Sequence, residues 1–126
     1  PKEIFAAFDS QHIVVANIAS PTSERNIEVN SRVCISFVDI FVQKGFKVIG
    51  TARNIRRSDA DFSKWSTPLE AMAGAKFPIR SVFVIQAVSV EPIIAPSYRL
   101  YTAETTEKSQ VASAMQTYGV QRSSDV

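Results

Sequence analysis

A chain of 126 residues, 45% hydrophobic and 21% charged, has the size and composition of one ordinary globular domain. Its single cysteine excludes an internal disulfide, so the cytoplasm is the expected compartment. No apolar run reaches the length of a membrane span, and no signal peptide is visible. A net charge of +2 and a pI near 8.9 permit anionic partners without indicating nucleic acid.

The hydrophobic pattern is mostly that of β-strands. Ile4–Phe8 and His12–Asn17 flank the polar residues Asp9-Ser10-Gln11, which predicts a hairpin. Strand-like alternation then recurs in three further segments: Val33–Val38, Phe46–Ile55 and Ile79–Val90. Five strands with non-local pairing predict a small barrel or sandwich.

The first predicted helix carries the clearest signal for ligand binding. Ser20 and Pro21 are typical of a helix start, an N-cap hydroxyl followed by proline, and the helix is expected to end near Val29. The opening turn of a helix has unpaired N–H groups and partial positive charge, which suits a phosphate. Ser23 adds a hydroxyl, and Arg25 adds a guanidinium that binds phosphate oxygens bidentately. Taken alone, the same residues are more typical of ordinary capping.

Two more helical regions follow. The first spans residues 59–74 and contains Thr67-Pro68-Leu69-Glu70, a capping box with proline at its first position, so two short helices or one kinked helix are expected. The second runs from Thr105 to Tyr118 and is expected to end at Gly119, before a C-terminal tail that reaches residue 126. Cys34 is expected to be a small buried hydrophobe in its strand.

The segment from Val15 to Ala52 resembles the flavin-binding split barrels of the pyridoxamine 5'-phosphate oxidase type. The resemblance rests on short matching pieces: Ala16-Asn17, Ser23-Glu24-Arg25-Asn26, Arg32-Val33-Cys34-Ile35-Ser36-Phe37, and Val48-Ile49-Gly50 with Ala52. It implies a mainly β (α+β) fold, an FMN-binding split β-barrel with short flanking helices, as a single domain over residues 1–126. The family's N-terminal helix and first strand are missing here, which indicates either a truncation or a shortened barrel.

FMN is the cofactor that the resemblance implies. Ser23 and Arg25 match the first and third positions of a Ser-Arg-Lys-like triplet that holds the phosphate, whereas Glu24 replaces a cation at the second. The resemblance places the flavin ring beside two strand segments, and the residues expected there are Lys2, Ile4, Ala16 and Asn17. No metal site is expected from one cysteine and one histidine.

The resemblance also implies a homodimer, because a hairpin of one subunit reaches the flavin held mainly by the other. The candidate residues in the predicted turn Val42–Lys47 are Gln43, Lys44, Gly45 and Lys47. Since Glu24 replaces a cation, one cationic contact of the family is missing, unless Lys44 or Lys47 supplies its charge. Without the resemblance, this segment is a solvated basic turn.

The function implied is FMN-dependent oxidation or reduction of a small organic molecule, with no catalytic residue assigned. The family's C-terminal tryptophan and Arg-Leu-His group are absent, which disfavours pyridoxamine phosphate as the substrate. Two alternatives remain open. One is a non-catalytic flavin-binding or flavin-sensing module. The other, less favoured, is a small barrel that binds nucleic acid through Arg53, Arg56 and Arg57.

Overall fold

The computed structural model describes residues 1–125. Within that range the elements follow in this order: β1 (Phe5–Ala7), β2 (His12–Asn17), α1 (Pro21–Val29), β3 (Arg32–Asp39), β4 (Lys44–Arg56), α2 (Phe62–Ala73), β5 (Ser81–Ile94), α3 (Ser97–Leu100), α4 (Glu107–Tyr118) and a 3₁₀ turn (Ser123–Asp125). The five strands form one antiparallel sheet in the order β1-β2-β5-β4-β3. The predicted mainly β (α+β) class is confirmed.

The described chain forms two compact units. The first comprises Pro1–Cys34 with Val48–Ser89, and the second comprises Ile35–Lys47 with the described residues from Val90 onward. The single domain expected from the sequence stays a prediction. The last residue of the expected C-terminal tail, Val126, lies outside the described residues.

The predicted hairpin opens the first unit. β1 pairs antiparallel with β2, with Phe5 opposite Val15. The Asp9 carboxylate closes the turn by accepting hydrogen bonds from the Gln11 and His12 amides, both at 2.8 Å, and from His12 Nδ1 at 2.9 Å. The Gln11 amide first, and then the His12 side chain, hold the pKa of Asp9 below its usual value. His12 is half-buried against the Trp65 ring.

The core of the first unit lies between the sheet and α2. β2, β4 and β5 contribute one side of it: Val14, Ala16, Ile55, Val82 and Val84. α2 contributes the other: Phe62, Trp65, Leu69 and Ala73. The buried Trp65 indole donates to Asp61 Oδ2 at 2.9 Å, which satisfies the polar edge of an otherwise apolar ring.

α2 is one continuous helix that contains Pro68. The capping box predicted at Thr67 is therefore not formed. Thr67 Oγ1 donates to the Ser63 carbonyl at 2.6 Å, and the Glu70 carboxylate accepts from Ser66 Oγ at 2.8 Å. Both hydroxyls therefore have partners within α2. The buried apolar residues of α2 lie both before and after Pro68.

In the second unit the β3–β4 turn is shorter than predicted. Residues 40–43 form the turn, in which Gln43 has a left-handed φ of 60°, and Lys44 already begins β4.

Cys34 is exposed, not buried, because it shares the outer face of β3 with Ser36 and Val38. The reason is the strand's two-residue period, which turns the alternate residues inward.

The C-terminal segment of the second unit contains one helix that the sequence predicted and one that it did not. α4 is capped by a reciprocal pair between Thr106 and Ser109, and it ends at Gly119 with a φ of 64°, as expected. The short α3 was not predicted. Its Tyr98 hydroxyl donates to the Val42 carbonyl at 2.7 Å, which joins this segment to the β3–β4 turn.

No helix within residues 1–125 has both the length and the apolar character to cross a bilayer.

Gly45 is the position in the second unit where only glycine fits. A Cβ atom there would lie 1.7 Å from the Phe37 carbonyl oxygen. We therefore expect Gly45→Ala to lower the free energy of unfolding by about 3 kcal/mol, since backbone would have to move. Urea unfolding measures this, with Ser36→Ala on the exposed face of β3 as the control. Equal stability of the two variants would contradict the close approach of the strands.

Candidate functional site

A cleft of about 210 Å³ opens beside the start of α1. Its walls come from the N-terminal segment, the end of β2 and the loop before β5. The lining residues that matter here are Lys2, Ile4, Ala16, Ser20 and Phe77. The Ala16 amide donates to the Ile4 carbonyl at 2.9 Å, which extends the β1–β2 pairing up to the cleft. Three residues predicted beside a flavin ring therefore meet here: Lys2, Ile4 and Ala16.

The start of α1 is capped in a way that the sequence did not predict. Ser20 is the N-cap and Pro21 follows it, as expected, but the Ser20 hydroxyl makes no capping hydrogen bond. That hydroxyl accepts a hydrogen bond from Lys2 Nζ. Asn17 Oδ1 accepts instead from the Ser20 amide, at 3.0 Å. The first-turn amides of Thr22 and Ser23 therefore have neither an intrahelical acceptor nor a side-chain cap.

Arg25 also reaches back to the first turn. Its Nη2 donates to Thr22 Oγ1 at 3.4 Å, a long hydrogen bond from an exposed guanidinium. Arg25 borders an open depression on α1 with Asn26, Asn30 and Arg32. Neither Lys2 nor Arg25 forms an ion pair within residues 1–125. Two unneutralised cations thus contact hydroxyls at the start of one helix.

The Glu24 carboxylate faces β2 and β4. Its side chain is 16% exposed. Glu24 Oε2 accepts from Asn17 Nδ2 at 3.2 Å, and Oε1 accepts from Asn54 Nδ2 at 3.1 Å. Arg80 Nε lies 3.9 Å from Oε2. This carboxylate therefore joins α1 to β2 and β4.

Asn17 is the buried centre of the same network. It is completely inaccessible, and its Nδ2 also donates to Ser81 Oγ at 2.8 Å. With its carbonyl oxygen on the Ser20 amide, every polar atom of this side chain is used inside the protein. Asn17, predicted beside the flavin, thus contributes to the site through the position of α1. Asn54 Oδ1 is a buried acceptor with no partner among the described residues, so it has capacity for a bound water or another donor.

The four candidates of the β3–β4 segment lie in the second unit. Lys44 Nζ lies 2.9 Å from Glu107 Oε1 and 4.5 Å from the centroid of the Tyr98 ring. The hydrogen bond to Glu107 raises the pKa of Lys44 above its usual value. Lys47 Nζ lies 2.7 Å from Glu91 Oε2. Both ammonium groups therefore already have a carboxylate partner, and their assignment to a flavin stays a prediction.

Gln43 and Gly45 have structural roles of their own. Gln43 Oε1 accepts from Gln110 Nε2 at 3.3 Å, so α4 holds this side chain. The Gln43 carbonyl accepts from the Ala95 amide at 3.1 Å. Gly45 allows the close contact with Phe37. These contacts fix the turn, and the role of either residue toward a flavin stays a prediction.

The arginines of the nucleic-acid alternative each contact a partner within the first unit. Arg56 pairs with Glu28, and Arg57 Nη1 donates to the Ile79 carbonyl at 3.1 Å. The Arg53 guanidinium lies 5.9 Å from the Trp65 ring. No group of three or more His, Cys, Asp or Glu side chains is placed to hold a metal ion in the described part of the chain.

Sequence reasoning missed several residues of the site. Asn54, Phe77 and Ser81 were not singled out, because strand and helix periodicity says nothing about contacts between distant segments. Lys2 was predicted beside the ring, not as a cation at the helix start. One signal was available: Glu24 stands where the resemblance implies a cation, which marks it as a candidate for partners inside the protein.

No protein-family model and no curated protein matches this sequence. Several solved structures share the fold. A variant of HupZ from Group A Streptococcus has a TM-score of 0.62 at 20% identity and covers 74% of this chain and 75% of its own. A protein from Lactobacillus delbrueckii, provisionally assigned as a pyridoxamine 5'-phosphate oxidase, has a TM-score of 0.57 at 21% identity and covers 72% and 69%.

An FMN-binding protein from Syntrophomonas wolfei has a TM-score of 0.57 at 13% identity and covers 75% of this chain and 66% of its own. At these identities the likeness defines the fold. The split β-barrel with short flanking helices, predicted from the sequence, is confirmed.

The Glu24 network generates a stability prediction. In Glu24→Gln, an amide NH₂ replaces one of the two oxygens that accept from Asn17 and Asn54. One donor of this part-buried network then loses its acceptor, so we expect a loss of about 2 kcal/mol in the free energy of unfolding. Glu28→Gln is the matched control, because its partner Arg56 is exposed and the pair is worth less than about 1 kcal/mol. Similar losses in the two variants would show that the network does not hold α1.

Proposed function

We propose that this chain binds FMN, with the phosphate at the first turn of α1. One observation carries the proposal: Lys2 and Arg25 each donate to a hydroxyl at the start of α1, while neither forms an ion pair within the described residues. Cations that form no ion pair, beside first-turn amides of Thr22 and Ser23 that have no side-chain cap, are an arrangement that a phosphate completes.

The donor set suits a phosphate ester in kind and in number. A phosphate monoester carries nearly two negative charges at neutral pH. Lys2 and Arg25 match that charge, and the hydroxyls of Ser20, Thr22 and Ser23 add donors. The helix dipole adds further positive potential where the first-turn amides point outward. In this assignment Lys2 takes the place of the cation that Glu24 removes.

The flavin ring would lie in the cleft beside this phosphate site. Ile4, Ala16 and Phe77 offer apolar surface to the ring, and strand backbone groups can address its polar edge. The cleft measures about 210 Å³, below the roughly 300–1,000 Å³ that is typical of ligand pockets. One chain therefore encloses only part of an FMN molecule.

A second copy of the chain would complete the site, and we propose a symmetric dimer. Val38 is 51% exposed and Ile40 is 55% exposed, at the end of edge strand β3 and in the turn that follows. An exposed apolar edge strand is a surface that proteins usually cover. A two-fold axis would bury it and bring the Gln43–Lys47 segment of one chain to the other chain's flavin.

We propose an FMN-dependent oxidoreductase that acts on a small organic molecule in the cytoplasm. Flavin binding is supported by the similarity in fold to two solved structures. One is an FMN-binding protein, and the other is provisionally assigned as a pyridoxamine 5'-phosphate oxidase. Bound FMN supplies the electron-transfer chemistry, and the chain supplies position and electrostatics. Of the chain's residues, Lys2 and Arg25 bind the phosphate, and Glu24 orients α1, whose first turn holds that phosphate.

If Lys2 and Arg25 bind the phosphate, substitutions at these residues should lower the affinity for FMN but not for riboflavin. Arg25→Ala should weaken FMN binding by about ten- to a hundredfold, the equivalent of roughly 1.5–3 kcal/mol for a charge-assisted hydrogen bond. Lys2→Ala should act in the same direction. Riboflavin affinity should stay unchanged in both variants, because riboflavin lacks the group that these cations bind. Fluorescence titration of both flavins measures this.

Two controls sharpen that titration. Arg53→Ala removes a cation that lies against Trp65 and should leave FMN affinity unchanged. Arg25→Lys should restore only part of the loss, since an ammonium group cannot reproduce the bidentate fork of a guanidinium. Equal losses for FMN and riboflavin in Arg25→Ala would mean that Arg25 supports the fold and does not bind the phosphate.

If the chain forms this dimer, one substitution in the contact should lower the mass measured in solution. Val38→Asp places a charge in the proposed apolar contact and should shift the protein from dimer to monomer in light scattering at micromolar concentration. Val29→Asp is the matched control, because Val29 is an 88% exposed valine on α1 outside that contact. A wild-type monomer that still holds flavin would refute the shared site.

A further inference from the structure

A second cleft in the first unit lies beside the end of α2. It measures about 160 Å³, and the proposed phosphate site uses neither of its two charged residues. The lining includes Arg57, Phe62, Glu70, Gly74, Phe77 and Ile79. Liquid water occupies about 30 Å³ per molecule, so the cleft has room for about five waters or one small organic molecule.

The two charges of this cleft are opposite in sign and unpaired. Arg57 and Glu70 both line it, yet neither forms an ion pair with the other or with any other residue in the described range 1–125. Their nitrogen and oxygen atoms are therefore more than 4 Å apart, which leaves a gap between a fixed cation and a fixed anion. A molecule that carries both charges would bridge that gap.

Both side chains are oriented and still have free hydrogen-bonding capacity. Arg57 Nη1 donates to the Ile79 carbonyl at 3.1 Å, and the guanidinium lies 5.3 Å from the Phe62 ring centroid. The remaining guanidinium N–H groups can bind a carboxylate as a fork. Glu70 Oε1 accepts from Ser66 Oγ at 2.8 Å, and Oε2 is left for another donor.

The end of α2 adds negative potential to the Glu70 side of the cleft. Glu70 lies in the last turn of α2, where the helix dipole is negative and the final carbonyl groups lack intrahelical donors. No basic residue occupies that last turn. A carboxylate at this end of a helix is electrostatically unfavourable on its own, so an ammonium group of a ligand would be stabilised by Glu70 and by the dipole together.

We propose that this cleft binds a small zwitterion of the α-amino acid type. Its carboxylate contacts Arg57, its ammonium contacts Glu70, and a short apolar side chain packs against Phe77. The proposal goes beyond FMN binding and does not depend on it. Phe77 also borders the first cleft, so a bound zwitterion would lie next to the proposed flavin.

Three ligands of nearly identical shape test the proposal by NMR titration of the full chain. Valine carries both charges, isovalerate carries only the carboxylate, and isobutylamine carries only the ammonium. Valine should bind saturably, with shifts at the amides of Gly74 and Ile79. Each analogue lacks one of the two charge contacts and should bind up to about fivefold more weakly, the usual limit for an exposed ion pair.

Two substitutions separate the two contacts. Arg57→Gln should weaken valine and isovalerate and leave isobutylamine unchanged, whereas Glu70→Gln should weaken valine and isobutylamine and leave isovalerate unchanged. The amide introduced by Glu70→Gln still offers an oxygen to Ser66, and Arg57→Lys, which keeps the charge, should bind valine with intermediate affinity. No saturable valine binding, or equal affinity for all three ligands, would overturn the proposal. Because the readout is on protein amides, either result is independent of flavin binding.

Discussion

The partly buried carboxylate of Glu24 is the constraint on which the site depends. It receives hydrogen bonds from Asn17 on β2 and Asn54 on β4, and it attracts Arg80 before β5. α1 begins only a few residues after β2, so these contacts fix where its first turn lies. Asn17 adds a second restraint, because its side-chain oxygen caps the Ser20 amide. A partly buried carboxylate is stabilised by these hydrogen bonds, since a charge withdrawn from water needs partners.

The inward direction of Glu24 also determines the electrostatics of the helix start. With the Glu24 carboxylate engaged by Asn17 and Asn54, Lys2 and Arg25 contact hydroxyls of the helix start, and Glu3 lines the adjoining cleft. Their contacts with Ser20 and Thr22 hold both cations at the place where first-turn amides are unpaired. Glu24 accepts from the two asparagines, and it forms no ion pair with Lys2 or Arg25 in the described part of the chain. It supports the helix that carries it, and the N-terminal segment provides the second cation.

The sequence predicted well where local rules decide the structure. The β1–β2 hairpin, the start of α1 at Pro21 and the end of α4 at Gly119 follow from turn residues, proline and glycine. It failed where tertiary contacts override local preference. Pro68 lies inside α2 because the apolar stripe is buried on both sides of it, and the phase of β3 exposes Cys34. The Lys2–Ser20 bond joins residues far apart in the chain, and no local pattern encodes such a contact.

The central claim is that the cleft and the helix start hold a flavin phosphate. The most direct measurement is the visible absorbance spectrum of the protein after addition of FMN and removal of free ligand by gel filtration. Flavin absorbance that co-elutes with the protein in a one-to-one ratio per chain, and that is absent after the same treatment with riboflavin, is the predicted result. A colourless protein after FMN, or equal retention of the two flavins, would contradict it.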